Sequence, residues 1–115
     1  MKKSIMVVIL ILLTITCFAR TPTDEECQKE VETALKNIAD GKKSLAAADY
    51  MSAGICYDNR KEYNTSLDCF MKAAELRVDT KDDAGASADY ESVADTYRTL
   101  KDEKNAVAYY NIAID

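Results

Sequence analysis

The sequence predicts an all-α protein: a short stack of antiparallel helical hairpins, with about five helices, that follows an N-terminal hydrophobic segment. Three observations predict this fold class. The 115 residues include only three Gly and one Pro, too few for the frequent turns of a β-sandwich. Apolar residues recur at helical spacing from Cys27 onwards. The chain after residue 47 repeats itself at a constant offset, and such a repeat determines the fold.

Composition restricts the classes of function. The net charge of −5 disfavours nucleic acid as a partner. The chain contains no His, so it lacks the commonest proton shuttle and metal ligand. The acidic pairs Glu25-Glu26 and Asp82-Asp83 are explained by helix capping and solubility, because no nucleophile with its base and no phosphate-binding loop lies beside them. We therefore expect no enzymatic activity, no catalytic residues, no cofactor and no metal.

Residues 1–19 have the three parts of a secretory signal peptide. Two lysines precede a largely apolar run from Ile5 to Ile15, and the small residues Cys17 and Ala19 permit cleavage after Ala19. We therefore predict a secreted or extracytoplasmic protein. An uncleaved membrane anchor is the alternative, although the run is shorter than the roughly 20 residues that a membrane-spanning helix needs. A lipoprotein acylated at Cys17 is a third interpretation; in every case the membrane is contacted only through this segment.

Three cysteines follow the signal segment, at Cys27, Cys56 and Cys69. Export would place them in an oxidising compartment, where an odd number leaves at least one thiol unpaired or joined to another chain. Their spacing matches no zinc-site pattern. No pairing follows from the sequence, and we expect all three to be small buried hydrophobic residues rather than disulfide partners.

Residues 20–43 are predicted to hold one N-terminal helix, from Asp24 to Asp40. Thr23 and Glu26 have the spacing of a capping box at its start. Gly41 can end the helix in the left-handed conformation. We expect this helix to cover the first repeat rather than to form a third copy. Its apolar stripe consists of Cys27, Val31, Ala34, Leu35 and Ile38.

Residues 44–115 are predicted to form a repeat domain. The segment from Ala48 to Ser52 is matched forty residues later by the segment from Ala88 to Ser92. Helical spacing in the first copy predicts one helix from about Leu45 to Asn59 and a second from about Tyr63 to Arg77. Because the turn between them is short, we expect the two helices to be antiparallel neighbours.

The first copy carries aromatic and small residues in a set order: Tyr50, Ala53, Gly54, Tyr57, Ser66, Phe70 and Ala73. This spacing resembles the tetratricopeptide repeat. The resemblance places repeats at about 47–80 and 87–115, the second incomplete, and implies a short α-solenoid of that type. The repeat-core positions are held by Tyr50, Gly54, Tyr57, Phe70 and Ala73, and by Tyr90, Ala94, Tyr97, Tyr110 and Ala113. The remaining tyrosines, Tyr63 and Tyr109, are expected to be exposed.

The repeat departs from the family pattern in two respects. It spans forty residues where about thirty-four are usual, and Val78 stands where a Pro is common. The segment from Val78 to Ala86 should therefore lengthen a loop or the helix ends. Within the first helix, Gly54 costs about 1 kcal/mol relative to Ala, and we expect the close approach of a neighbouring helix to compensate for it.

In the family that the chain resembles, the first helix of each repeat lines a concave groove that holds a partner protein or peptide. The resemblance therefore implies a non-catalytic protein–protein interaction scaffold, exported or membrane-attached. A basic clamp for an acidic C-terminus is not expected, because apolar and acidic residues occupy the clamp positions. The expected ligand has apolar anchors and basic character. The groove residues are Met51, Ser52, Ile55 and Asn59 in the first repeat and Glu91, Ser92, Asp95 and Thr99 in the second.

Two alternatives remain open at this point. The acidic groove residues are also explained as solvated side chains, with the apolar ones packed against neighbouring helices. The protein could instead be a self-associating structural module that homodimerises through its last helix, around Ala106 to Ile114, because no polar capping helix follows it.

Overall fold

The computed structural model describes residues 20 to 114, and this part of the chain forms five α-helices and no β-strand. The all-α prediction and the expected number of helices are confirmed. The predicted signal peptide lies outside the described residues. The helices are α1 (Asp24–Ala39), α2 (Lys43–Asn59), α3 (Tyr63–Asp79), α4 (Asp83–Thr99) and α5 (Glu103–Ile114).

The four turns between the helices share one backbone geometry. Each contains a residue with positive φ, and these residues are Gly41 (75°), Lys61 (62°), Lys81 (59°) and Lys101 (61°). In every turn the next N–H donates to the carbonyl five residues earlier, at 2.7 to 2.9 Å. This is a Schellman motif, which satisfies helix-terminal carbonyl groups and reverses the chain within three residues. The left-handed cap predicted at Gly41 is confirmed.

The turns recur every twenty residues, so the forty-residue repeat consists of two helices of equal length. The segment from Val78 to Ala86 forms no long loop: α3 continues to Asp79 and α4 begins at Asp83. The extra residues therefore lengthen the helix ends, one of the two expected outcomes. Each helix packs chiefly against the helices before and after it in the chain. A small buried residue marks the same place in each of the last four helices: Ala46, Ser66, Ala86 and Ala106.

Helix α1 begins at the predicted capping box. The backbone N–H of Glu26 donates to the Thr23 hydroxyl, and the Thr23 N–H donates to the Glu26 carboxylate, each at 3.2 Å. The hydrogen bond from Arg20 and then that from the Thr23 backbone lower the pKa of Glu26. The predicted apolar stripe is only partly covered, since Leu35 is 54% exposed and Ile38 is also exposed. Among the described helices, α1 packs chiefly against α2, so only one side of its apolar stripe is covered.

A glycine allows α2 and α3 to pack closely. A Cβ placed on Gly54 would lie 2.5 Å from Cε1 of Phe70, too close for a side chain unless the ring moves. The Ser66 hydroxyl donates to the Gly54 carbonyl at 2.9 Å and is fully buried. The expected compensation for a glycine within a helix is therefore confirmed, because the aromatic ring packs directly on the α2 backbone.

The structure corrects the expectation that all three cysteines carry free thiols. Cys27 and Cys56 form a disulfide, with their Cα atoms 5.5 Å apart. The antiparallel arrangement of α1 and α2 places the start of α1 beside the end of α2, a proximity that helical spacing alone does not reveal. Cys69 is free and buried in the same core, as expected, and burial raises the pKa of its thiol to about 11.

An ion pair joins α3 to α4. The Asp89 side chain is only 1% exposed, and Nε of Arg77 lies 2.8 Å from its Oδ2. The N–H is not aimed at the oxygen, so this contact is an ion pair rather than a directed hydrogen bond. Burial outweighs the attraction of Arg77 and raises the pKa of Asp89 to about 6. The equivalent residues forty positions earlier are Asn37 and Asp49, and the Asn37 amide donates to the Asp49 carboxylate at 2.6 Å. The α1–α2 contact therefore pairs the same two positions, with an amide in place of the guanidinium.

We expect Gly54→Ala to destabilise the protein although alanine is the better helix former. The added methyl group would force the Phe70 ring to move, at a cost of about 1–3 kcal/mol that exceeds the gain of about 1 kcal/mol in helix propensity. Urea unfolding followed by circular dichroism measures the difference. In a Phe70→Leu background the same substitution should be neutral or stabilising; equal destabilisation in both backgrounds would contradict the close contact.

We also expect the stability to depend on pH through Asp89. Its folded-state pKa of about 6 exceeds the ordinary value of 3.8, so the folded protein holds a proton that the unfolded chain releases. The free energy of unfolding should therefore fall by about 1–2 kcal/mol between pH 5 and pH 7. Chemical denaturation across this range should show that slope in the natural protein and in the matched control Asp49→Asn. Retention of the full slope in Asp89→Asn would show that another group titrates.

Candidate functional site

The helices α2 and α4 run parallel, because both are antiparallel to α3 between them, and a groove opens along their facing sides. We call it the α2–α4 groove. Its volume is about 250 Å³. Residues of α2 and α4 form its walls, and one residue of α3 forms its floor. The lining residues are Met51, Ile55 and Asp58 of α2, Phe70 of α3, and Ser92, Asp95, Thr96 and Thr99 of α4.

Five of the eight residues predicted for a partner groove line this opening, namely Met51, Ile55, Ser92, Asp95 and Thr99. The other three, Ser52, Asn59 and Glu91, are exposed but do not line it. Each of them is one residue along the helix from a lining residue, which rotates its side chain about 100° away from the opening. The structure therefore brings five of the predicted residues together along α2 and α4 and places the other three outside the opening.

Three lining residues were not predicted. Asp58 and Thr96 were missed although helical spacing could have found them: Met51, Ile55 and Asp58 follow one another at steps of four and three, as residues on one helix face do. Phe70 was predicted only as a core residue. It is 4% exposed, yet its ring forms the floor because the missing side chain at Gly54 leaves room for it against α2.

The two ends of the groove differ in character. Met51 and Ile55 lie on the α2 wall, where Met51 is half-buried and Ile55 is 48% exposed. The C-terminal ends of α2 and α4 point the same way, so their partial negative charges add at one end. Asp58 lies at that end, and the last turn of α2 contains no basic residue, whereas the last turn of α4 contains Arg98. The groove is therefore apolar at one end and negative at the other.

Asp95, on the α4 wall, has two local partners. The Tyr110 hydroxyl donates to its Oδ1, and Nη2 of Arg98 lies 3.5 Å from the same oxygen. The hydrogen bond to Asp95 is the main cause of the raised pKa of Tyr110. The Arg98 guanidinium also lies 6.0 Å from the centre of the Tyr110 ring. Part of the Asp95 charge is thus balanced within the chain.

The predicted repeat-core residues are more deeply buried in the first repeat than in the second. Those of the first repeat are all buried, whereas in the second only Ala94 is, and four are half-buried: Tyr90, Tyr97, Tyr110 and Ala113. Ala94 stands at the position equivalent to Gly54 and carries the Cβ that Gly54 lacks.

The structure corrects the expected exposure of two tyrosines. Both Tyr63 and Tyr109 are half-buried rather than exposed. The ring of Tyr109 stacks between two core tyrosines, with its centroid 5.5 Å from that of Tyr97 and 6.2 Å from that of Tyr90. Sequence spacing assigned this packing role to the adjacent Tyr110, which instead points towards Asp95.

The chemistry available in the described part of the chain is limited. Within residues 20–114, no group of three or more His, Cys, Asp or Glu side chains is placed to hold a metal ion. The thiol of Cys69 is buried and its raised pKa disfavours the reactive thiolate. None of the five described helices combines the length and the apolar character needed to cross a membrane.

Comparison with known proteins identifies no relative: no protein-family model, no curated protein and no solved structure matches this chain.

Proposed function

We propose that this protein is a non-catalytic protein–protein interaction scaffold of the tetratricopeptide type, exported or membrane-attached, which binds a segment of another protein in the α2–α4 groove. The observation that carries the proposal is the groove itself. Two parallel helices line it, an aromatic ring forms its floor, and Ile55 leaves apolar surface open to solvent on its wall. Binding of a partner that covers this apolar surface lowers the free energy, because the surface is removed from water.

Two further features support the repeat type. The left-handed turns recur every twenty residues, and each helix packs chiefly against its neighbours in the chain, as in proteins built from stacked helical hairpins. The proposed export rests on the sequence of residues 1–19. The Cys27–Cys56 disulfide would persist in the oxidising compartment that export implies.

Selection of displayed peptides tests the groove as a binding site. We expect peptides enriched on the natural protein to bind the Leu45→Arg variant equally well and to lose binding to Ile55→Arg. The two substitutions are matched, because both side chains lie on α2 and are about half exposed, and only Ile55 lines the groove. Thermal unfolding of both variants checks that they fold. Peptides that bind all three proteins alike, or no enrichment at all, would contradict the proposal.

A second candidate function, self-association, is favoured by the exposed face of α5. Val107 is 55% exposed and Ile114 is 83% exposed. In each of the three preceding helices, the residue equivalent to Ile114 is buried: Gly54, Ala74 and Ala94. Beyond Lys104, the described part of α5 contains no charged residue, so two copies could meet there without repulsion between like charges.

The opposite end of the helix stack is polar. Helix α1 carries Glu26, Lys29, Glu30 and Thr33 at the positions where α3 carries Ser66, Cys69, Phe70 and Ala73. An apolar face does not pack well on such a surface. Self-association would therefore join α5 to α5 about a two-fold axis rather than head to tail.

Light scattering after size exclusion tests this second candidate. If α5 is a dimer interface, the natural protein should have twice the monomer mass, and Val107→Lys should restore the monomer because it places two cations in an apolar contact. The matched control Leu45→Lys, equally exposed but on α2, should remain dimeric. A natural protein that is monomeric at tens of micromolar would rule out self-association as its function.

A further inference from the structure

We infer that the α2–α4 groove binds a segment that places an apolar side chain on Phe70 and, one helical turn further along, a lysine or arginine side chain against Asp58. This inference rests on the proposed function and names the chemistry of the partner. The sequence predicted a ligand with basic character through Glu91 and Asp95. The structure excludes Glu91 from the groove and places Asp58 in it.

The size of the groove limits what it can hold. Met51 and Asp58 are separated by two helical turns, which is roughly 10 Å along the axis of α2. Phe70 packs against Gly54, which lies near the middle of this span and about one helical turn from Asp58. A volume of about 250 Å³ accommodates two side chains of a ligand rather than a whole helix. The ligand therefore needs one apolar and one polar residue about one turn apart, since a turn spans roughly 5 Å.

The apolar half is suited to an aliphatic or aromatic side chain. The Phe70 ring is held in place by close packing on α2, so it offers a rigid floor. Met51 is half-buried beside it and has a flexible side chain that adapts to different shapes. Ile55 contributes the exposed apolar surface that the ligand would cover.

The acidic half is suited to a cation. Asp58 is half-buried in the last turn of α2, where the helix dipole disfavours a negative charge. Its carboxylate takes part in none of the ion pairs among residues 20–114. The adjacent Arg60 does not supply the cation, because its guanidinium bonds to Glu62 and to the Pro22 carbonyl, each at 2.9 Å. A ligand cation would relieve this unfavourable charge.

The α4 wall also attracts a cation in the ligand. Asp95 faces the same groove, and its charge is shared with Arg98, whose side chain is 65% exposed and does not line the groove. No basic residue is among the lining residues, so nothing in the groove repels a lysine or arginine. An acidic ligand side chain would meet two carboxylates and the negative end of α2, whereas Arg98 offsets the negative end of α4.

Three synthetic peptides test the inference. Each is a blocked, alanine-based helix of about sixteen residues that carries a leucine and, four residues later, lysine, glutamine or glutamate. Binding is followed by amide chemical shifts of the labelled full chain. The lysine peptide should bind about five- to tenfold more tightly than the glutamine peptide and the glutamate peptide more weakly than both, with a preference that declines as salt is added.

Two variants of the protein complete the test. Asp58→Asn should remove most of the preference for lysine, leaving the smaller part due to Asp95. It should not lower the melting temperature, because a carboxylate at a helix C-terminus is unfavourable. The matched control Asp68→Asn, an exposed carboxylate on α3 outside the groove, should retain the preference. If all three peptides bind equally and Ile55→Arg abolishes that binding, the charge inference is overturned and the proposed function is left intact. Absence of shifts at groove residues with every peptide would overturn both.

Discussion

One left-handed residue in each turn is the constraint on which the rest of the structure depends. Because each Schellman turn reverses the chain within three residues, every helix must lie antiparallel to the next. Alternate helices are then parallel, and α2 and α4 face each other across α3. The spacing of twenty residues also returns small side chains such as Ala46 and Ser66 to the same place in successive helices, where close packing needs them. The parallel course of α2 and α4 therefore follows from the turns, and the side chains on their facing sides shape the groove.

The contact between Gly54 and Phe70 makes the first repeat different from the second. The ring fills the space above the glycine backbone and forms the floor of the groove, and the hydroxyl of Ser66 satisfies the carbonyl beneath it. In the second repeat Ala94 stands at the position equivalent to Gly54 and carries a methyl group. There Tyr110 donates to Asp95, and Tyr109 stacks on Tyr97 in the core. The apolar floor of the groove therefore comes from the first repeat.

Charge is distributed so that buried and groove carboxylates have different roles. Asp89 is buried beside Arg77 and couples the α3–α4 contact to pH, because its proton is held more tightly in the folded state. Asp58 lies at the end of the groove, at a helix terminus that disfavours it. Asp89 joins two helices within the chain. Asp58 is free to attract a cation from a partner.

The amino-acid sequence by itself determined the local features: the capping box at Thr23, the left-handed cap at Gly41, and helices whose apolar and small residues recur at fixed spacing. These depend on neighbours within a few residues, so spacing reveals them. It also predicted five residues that the structure brings together along α2 and α4. Only the tertiary structure decided the Cys27–Cys56 pair, the Arg77–Asp89 pair and the entry of Phe70 into the groove. Each of these depends on the rotation of one helix against another, which packing sets and helical periodicity leaves open.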